Sequence, residues 1–180
     1  RLILFFHSSK LSLTSMENQS PFSEKSGFPV WIFWSIASIP LTIYLYEKIA
    51  HPTDSEPFDW FGLVILAIVG LFIFSIELKI TIDPKGITYQ YPPFRNKPTT
   101  IPWENIETVE LLKINPLKEF GGWGLRYGKL GSAYTTRGKH ILHIKMRKGK
   151  PINLTIVDYK ALLKFAESKQ WPIVNRLTNN

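Results

Sequence analysis

WFGLVILAIVGLFIFSIELKITIDPKGITYQY, residues 60–91, changes from one kind of sequence to another at Glu77. The 17 residues before Glu77 carry no formal charge, and a run of about 17 apolar residues is at the short end of what a membrane-spanning helix needs. From Leu78 onward, apolar residues alternate with polar ones, which is typical of a half-buried β-strand. The stretch therefore predicts a membrane helix that passes directly into a strand.

A second uncharged run lies upstream, at residues 26–46, and reads SGFPVWIFWSIASIPLTIYLY. Its 21 residues are long enough to cross a hydrocarbon core of roughly 30 Å. The alternative is that both runs are core helices of a soluble protein, but core helices usually show a polar stripe, and these show almost none. Aromatic residues, which favour the membrane interface, cluster toward the ends of the runs: Trp31, Trp34, Tyr44, Tyr46 and Trp60. We therefore predict a transmembrane hairpin over residues 28–76.

Charge divides the chain at the same point. Residues 77–180 contain 18 Lys and Arg against 8 Asp and Glu, a net +10, whereas residues 1–76 contain 4 against 6, a net −2. A basic domain beside a bilayer is attracted to anionic lipid head groups. Nucleic acid is the competing partner, but it rests on charge alone, because no stacking-platform motif is legible. The absence of cysteine excludes disulfides, a thiolate nucleophile and Cys-ligated metals.

The distribution of Lys and Arg around the two runs predicts an orientation. The connecting segment, residues 47–59, holds four acidic residues and a single base, Lys48, whereas four bases follow the second run closely: Lys79, Lys85, Arg95 and Lys97. Lys and Arg near membrane ends favour the cytoplasmic side. We therefore predict a multi-pass protein of the cell inner (cytoplasmic) membrane, with both termini in the cytoplasm.

Residues 1–27 are predicted to be a disordered N-terminal segment. The chain begins at Arg1, and Met16 is the predicted true start; the alternatives are a genuine disordered tail and the remnant of a targeting segment. The apolar run LILFF near Arg1 has five residues, fewer than the roughly 7 to 15 of a secretory signal.

Residues 77–172 are predicted to form a mainly-β domain. Residues 83–86, Asp-Pro-Lys-Gly, form a hairpin turn signal between two alternating runs, since Pro presets the second turn position and Gly accepts a left-handed conformation. Further strands are expected at 106–114, 140–146 and 152–156. Asp158 is a candidate N-cap of a helix that Pro172 ends, and residues 173–180 are predicted to be a tail. The pattern indicates a barrel or sandwich with a capping C-terminal helix.

The chain contains, in order, two spans, the DPKG hairpin, IPWENIETVEL at 101–111, PLKEFGGWGLR at 116–126, and a final hairpin plus helix. The order of these features resembles the bacterial pleckstrin-homology-like membrane proteins. The resemblance covers roughly residues 60–169. It implies a strongly bent, seven-stranded antiparallel barrel capped by the C-terminal helix, and it implies no catalytic residues. Eukaryotic relatives of that fold often bind phosphoinositides through bases in the first strand loop. Here that loop offers only Lys85, so inositol-lipid binding is not carried across.

The segment from 116 to 138 is rich in glycine and aromatic residues and is a candidate ligand or partner loop. Glycines permit close backbone approach, aromatic rings supply apolar area, and nearby bases suit an anionic partner. The residues singled out are Gly121, Gly122, Trp123, Gly124 and Arg126. The alternative is that Trp123 packs into the barrel and the glycines only turn the chain.

A basic hairpin tip is the candidate contact for anionic lipid, and it contains Lys145, Arg147, Lys148 and Lys150. A solvated turn is the alternative. His140 and His143 are three apart, which on a strand places them on opposite faces and argues against a shared metal. Because no Ser-His-Asp order, carboxylate pair or metal cluster is recognisable, we predict a protein that is not an enzyme and has no cofactor.

Together these features predict a membrane-anchored, non-catalytic binding or scaffold module, whose domain meets a protein partner or the anionic head groups of the bilayer. The alternative is a subunit or regulator of a cell-envelope membrane complex in which the two helices make the decisive contacts.

Overall fold

The structure is a computed structural model and describes residues 20–50, 59–128 and 131–177. The predicted start at Met16 lies outside these residues. In chain order the elements are β1 (Phe22–Gly27), α1 (Val30–Ala50), α2 (Asp59–Ser75), β2 (Glu77–Asp83), β3 (Gly86–Tyr91), β4 (Arg95–Pro102), a 3-10 turn (Trp103–Asn105), β5 (Ile106–Lys113), α3 (Pro116–Phe120), β6 (Gly124–Gly128), β7 (Gly131–Thr135), β8 (His140–Met146), β9 (Ile152–Ile156), α4 (Tyr159–Lys169) and β10 (Ile173–Asn175).

Two apolar helices stand beside a β-rich domain. By length and composition, α1, with 21 residues, is the one helix among the described residues that is long and apolar enough to cross a membrane; α2 is apolar but has 17 residues. The helices pack through Phe33, whose ring lies 5.3 Å from that of Phe74. A Cβ on Gly70 would lie 2.7 Å from the Phe33 ring, so this glycine permits the close approach. An apolar N-terminal helix ahead of a mainly-β domain is thus confirmed.

The strands form two sheets. The first has the order β1-β2-β3-β4, and the second has the order β10-β5-β8-β9-β7-β6. The pairs β5–β10 and β7–β9 are parallel, so the sheets depart from the all-antiparallel, seven-stranded barrel that the resemblance implies. Both sheets contribute to one apolar core, in which the rings of Tyr89 and Tyr134 lie 4.9 Å apart. Helix α4 adds Leu162 and Ala166 to that core, and Trp171 follows it there.

The hairpin between β2 and β3 follows its sequence signal closely. The Asp83 carboxylate accepts hydrogen bonds from the backbone N–H groups of Lys85, at 2.8 Å, and Gly86, at 3.1 Å. Gly86 has a φ of +150°, and a Cβ there would lie 2.1 Å from the carbonyl oxygen of Ile101. Only glycine fits, because the next strand passes directly against this backbone.

The N-terminal segment differs from its prediction. Residues 22–27 are ordered as β1 and pair with β2 from Phe22 opposite Ile82 to Gly27 opposite Glu77. The sequence FSEKSG has one apolar residue and no β-branched residue, so it carries no strand periodicity of its own. The strand exists because β2 offers it an edge, which is a tertiary effect.

The C-terminal boundary is corrected as well. Residues 173–175, placed in the predicted tail, form β10, which pairs with β5 opposite residues 109–111. Just after this strand, the guanidinium of Arg176 forms an ion pair with Glu110 at 2.9 Å. The β domain therefore extends beyond the predicted range 77–172 at both ends: it includes one strand before the helices and one after α4.

Candidate ligand site at the junction of helices and domain

Both apolar helices join the first sheet almost directly. Two residues separate β1 from α1, and one residue, Ile76, separates α2 from β2. The backbone N–H of Phe28 donates to the carbonyl of Ile76 at 3.2 Å, which extends the β1–β2 pairing to the ends of the helices. On the other side of β2, the N–H of Glu77 donates to the carbonyl of Pro92 at 3.3 Å. The helix ends are therefore fixed to the sheet by backbone hydrogen bonds.

Aromatic rings connect each helix to the domain a second time. Trp31 near the start of α1 meets Trp123 edge to face, with ring centroids 5.5 Å apart. Phe72 near the end of α2 meets Phe94 in the same way at 5.8 Å, and Phe94 in turn stacks on Tyr91. Edge-to-face pairs of this kind contribute about 0.5–1.5 kcal/mol beyond the area they bury.

A cavity of about 750 Å³ opens beside the start of α1. Its walls are Pro29 and Trp31, the segment from Lys113 into α3, the loop residue Trp123, and residues 137–139. Hydrogen bonds bring these segments together: the N–H of Arg137 donates to the Gly27 carbonyl at 3.4 Å, and the N–H of Ile114 donates to the Lys139 carbonyl at 2.7 Å. The cavity therefore lies where the helices meet the domain.

Short-range capping positions the Trp123 loop. The Asn115 side chain accepts from the N–H of Leu117 and begins α3. At its end, Gly121 has a φ of +69°, and the N–H groups of Gly121 and Gly122 donate back to the carbonyls of Leu117 and Pro116, closing the C-terminus of the helix. The chain then reverses and presents Trp123 to α1.

The five residues predicted as a ligand or partner loop are placed differently from one another. Gly121, Gly122 and Gly124 all have positive φ, so their glycine character serves the backbone. Trp123 lines the cavity and contacts α1, and it does not belong to the core shared by the sheets. Arg126 is exposed on β6, with its guanidinium beside Gly122, and it does not line the cavity.

Three cationic side chains lie on the cavity wall; the sequence indicates Arg137 and Lys139 as bases near the candidate loop, but it does not indicate Lys113. Lys113, Arg137 and Lys139 are all exposed, and none forms an ion pair among the described residues. One carboxylate, Glu119, also lines the cavity. Lys113 lies on a different segment from Arg137 and Lys139, and only the fold brings the two segments together.

His140 stands next to this cluster. Its ring lies 4.1 Å from that of Tyr159, the first residue of α4. Partial burial, and then the positive charge of Lys113, lower the pKa of His140 below its ordinary value of 6.5. His143 instead shares a hydrogen bond with Asn153 at 2.7 Å, so the two histidines have separate partners.

The basic hairpin tip lies at the other end of the domain. Lys145 forms an ion pair with Glu107 at 2.8 Å, and the N–H of Arg147 donates to the Asn105 carbonyl. Arg147 also lines a second cavity, of about 810 Å³, together with Pro84 and Trp103.

Pro84 belongs to the turn that ends β2, and at about 3.3 Å per residue the strand places this turn roughly 20 Å from the helix junction. Contact of Lys145, Arg147, Lys148 and Lys150 with anionic lipid stays a prediction.

Neither protein-family models nor curated proteins match this chain. Among the described residues, no group of three or more His, Asp or Glu could hold a metal ion. The site is thus defined by its own geometry: a cavity with cationic and aromatic walls where α1 joins the β domain.

Proposed function

We propose that this chain is a membrane-anchored, non-catalytic binding or scaffold module, of the kind seen in bacterial pleckstrin-homology-like membrane proteins. Both helices cross the cell inner membrane, and the β domain rests on the cytoplasmic surface with both termini on that side. The observation that carries the proposal is the pairing of β1 with β2. One strand precedes α1 and the other follows α2, so a chain that crosses with α1 must return with α2 before the strands can meet.

The second crossing is also supported by the packing of α2. It lies against α1 through Gly70 and Phe33, and its 17 residues cover about 25 Å at roughly 1.5 Å each. A short span is accommodated by local thinning of the bilayer or by flanking residues that reach the interface. Glu77 and Lys79 follow it at once and form an ion pair at 3.2 Å.

A binding role is supported by the cavity. A volume of about 750 Å³ is in the range of small-molecule sites, which combine apolar walls with a few polar groups that fix orientation. Here the apolar walls include two tryptophan rings, and the charged groups are three ammonium or guanidinium ions and one carboxylate. The cations suit an anionic ligand.

The alternative is a helix-mediated subunit or regulator of a cell-envelope complex. It is favoured by Gly62, an exposed residue of α2; among the described residues, no atom outside its own helix backbone and chain neighbours lies within 4 Å of the position a Cβ would take. Small residues on a membrane helix allow a second helix to approach closely. The intramolecular contact uses Gly70 and leaves Gly62 open to such a partner.

The full-length chain in native membranes tests the proposal. We expect it to remain in the pellet after carbonate extraction, and we expect protease to reach the β domain only from the cytoplasmic side. Release by carbonate would contradict the anchoring. Cleavage only from the opposite side would contradict the orientation.

An exchange of the two helices distinguishes the binding module from the helix-mediated subunit. Residues 30–50 and 59–75 are replaced by an unrelated apolar hairpin of equal length, with β1 and β2 unchanged. Crosslinks to the β domain that persist in the exchanged chain support the module. Crosslinks that require the native helices, and disappear when Gly62 is changed to Leu, support the helix-mediated alternative.

A further inference from the structure

We propose that the junction cavity binds the phosphate head group of an anionic phospholipid from the membrane in which the helices lie. This inference rests on the proposed membrane anchoring and assigns a ligand class to the cavity. The site consists of the cations Lys113, Arg137 and Lys139 and the rings of Trp31 and Trp123.

The charge of the cavity selects an anion. Three cations and one carboxylate, Glu119, line the cavity, and none of the three cations forms an ion pair within the described part of the chain, although the Glu24 carboxylate lies near enough to Arg137 for their charges to interact. Cations left unpaired on a concave wall reinforce one another's potential and concentrate anions there. At the distal end, by contrast, Lys145 is paired with Glu107.

The apolar part of the site selects an amphiphile. Trp31 and Leu117 are each 58% exposed although both line the cavity, and Trp34 is 63% exposed on the next turn of α1. Tryptophan favours the head-group level of a bilayer, where one side of the ring is apolar and the other is wet. A ligand with a phosphate beside acyl chains satisfies both the cations and these rings, whereas free phosphate uses only the cations.

The location supplies the ligand. The cavity includes Pro29 and Trp31, at the end of α1 that adjoins the domain. If α1 crosses the membrane, this end lies at the head-group layer of the same leaflet on which the domain rests. A phospholipid then reaches the cavity by lateral diffusion, without leaving the bilayer.

The test uses the full-length chain in nanodiscs of equal parts phosphatidylglycerol and phosphatidylcholine. After extraction into mild detergent, mass spectrometry measures how much of each lipid stays bound. We expect phosphatidylglycerol to be retained at about one molecule per chain and to be enriched over phosphatidylcholine. The triple variant Lys113→Gln, Arg137→Gln, Lys139→Gln should reduce this retention at least tenfold.

The matched control removes the same charge from the distal end, with Lys85→Gln, Lys148→Gln and Lys150→Gln. All six side chains are exposed, and equal thermal melting of the two triple variants establishes that both are folded. Equal loss of retention in both variants, or no enrichment of phosphatidylglycerol over phosphatidylcholine in the parent chain, would overturn the proposal.

Two further outcomes are informative. Inorganic phosphate that displaces the retained lipid at millimolar concentration would overturn the lipid assignment, since the cations alone would then account for binding. Recovery of the chain in the nanodiscs is measured on the same samples. A chain that enters nanodiscs but retains no phosphatidylglycerol contradicts only this inference, whereas a chain that fails to enter contradicts the anchoring as well.

Discussion

The two ends of the β domain are built from similar parts that serve different purposes. Each has a pair of tryptophan rings packed edge to face: Trp31 with Trp123 at 5.5 Å near the helices, and Trp103 with Trp171 at 5.3 Å at the far end. Each also has a group of basic side chains. The distal rings join two parts of the domain, whereas the proximal rings join the domain to α1.

The basic groups differ in the same way. At the distal end Lys145 is paired with Glu107, and the Arg147 side chain donates to the Ile106 carbonyl, so part of the charge is used within the domain. At the proximal end the cations of the cavity have no ion-pair partner among the described residues. The dense run of bases that stands out in the sequence is therefore partly paired within the domain, whereas the bases that the fold gathers at the cavity form no ion pair among the described residues.

The largest expected effect comes from removing β1, which completes the proximal end. Gly27 is paired with Glu77, so an Asn-Gly turn can replace residues 29–75 and join the two strands as a hairpin. We expect this joined chain, residues 20–28 and 76–177, to unfold cooperatively. A chain that begins at residue 76 lacks β1, and its free energy of unfolding should be lower than that of the joined chain by about 3 kcal/mol or more. It loses the pairing of β1 with β2 and also Phe22, whose ring packs 5.6 Å from that of Phe165.

Chemical denaturation followed by circular dichroism measures both chains. Equal stability would show that β1 adds nothing to the sheet, and the proximal end would then depend on the helices alone.

The tryptophan pairs give the next largest difference. Trp103→Ala removes a contact with buried Trp171 and the hydrogen bond from the indole N–H to the Asp83 carbonyl at 3.0 Å. We expect a loss of about 3 kcal/mol in both the full and the joined chain. Trp123→Ala should cost about 1 kcal/mol in the full chain and much less in the joined chain, which lacks Trp31. An equal cost of Trp123→Ala in both chains would contradict the coupling of domain and helix.

A pH dependence is expected at the proximal end from His140. Its folded pKa lies below the ordinary value of 6.5, so the folded chain takes up this proton less readily than the unfolded chain. The free energy of unfolding should therefore fall as the pH drops below about 6.5 towards the folded pKa. His140→Gln should flatten this part of the stability profile, measured by urea unfolding between pH 5 and 7. An unchanged slope would assign the dependence to another group.

The smallest effect concerns single bases. Lys145→Ala breaks an exposed ion pair with Glu107 and should cost at most about 1 kcal/mol. Lys139→Ala has no ion pair to lose within the described residues and should leave the free energy of unfolding nearly unchanged. A larger loss for Lys139→Ala in urea titrations would mean that the proximal cations stabilise the fold.

How much of the fold and of the candidate site could be predicted from the sequence depends on how close together in the chain the contacting residues lie. The turn at Asp83 and Gly86 could be predicted because its hydrogen bonds lie within four residues. The C-terminal helix could be predicted for the same reason, since the Asp158 side chain caps it at the N–H of Ala161.

Features made by distant segments could not be predicted in this way. The strand β1 depends on partners 50 to 60 residues away, and its Glu24 carboxylate accepts N–H bonds from Val157 and Asp158. The loop at Trp123 was found because aromatic residues among glycines are conspicuous. Lys113 was not, because a lone base on a strand end resembles any solvated base; Arg137 and Lys139 were recognisable only as bases near that loop.

The pairing of β1 with β2 also sets an order of events during biosynthesis. The first strand is made about 50 residues before its partner. In the proposed topology, at a synthesis rate of roughly 5–20 residues per second, it waits several seconds while the apolar segments enter the bilayer. The sheet can close only when both strands emerge on one side. Pairing of the two strands therefore stabilises only the correctly inserted chain. A hairpin inserted halfway leaves an exposed strand edge, which quality-control proteases and chaperones can recognise.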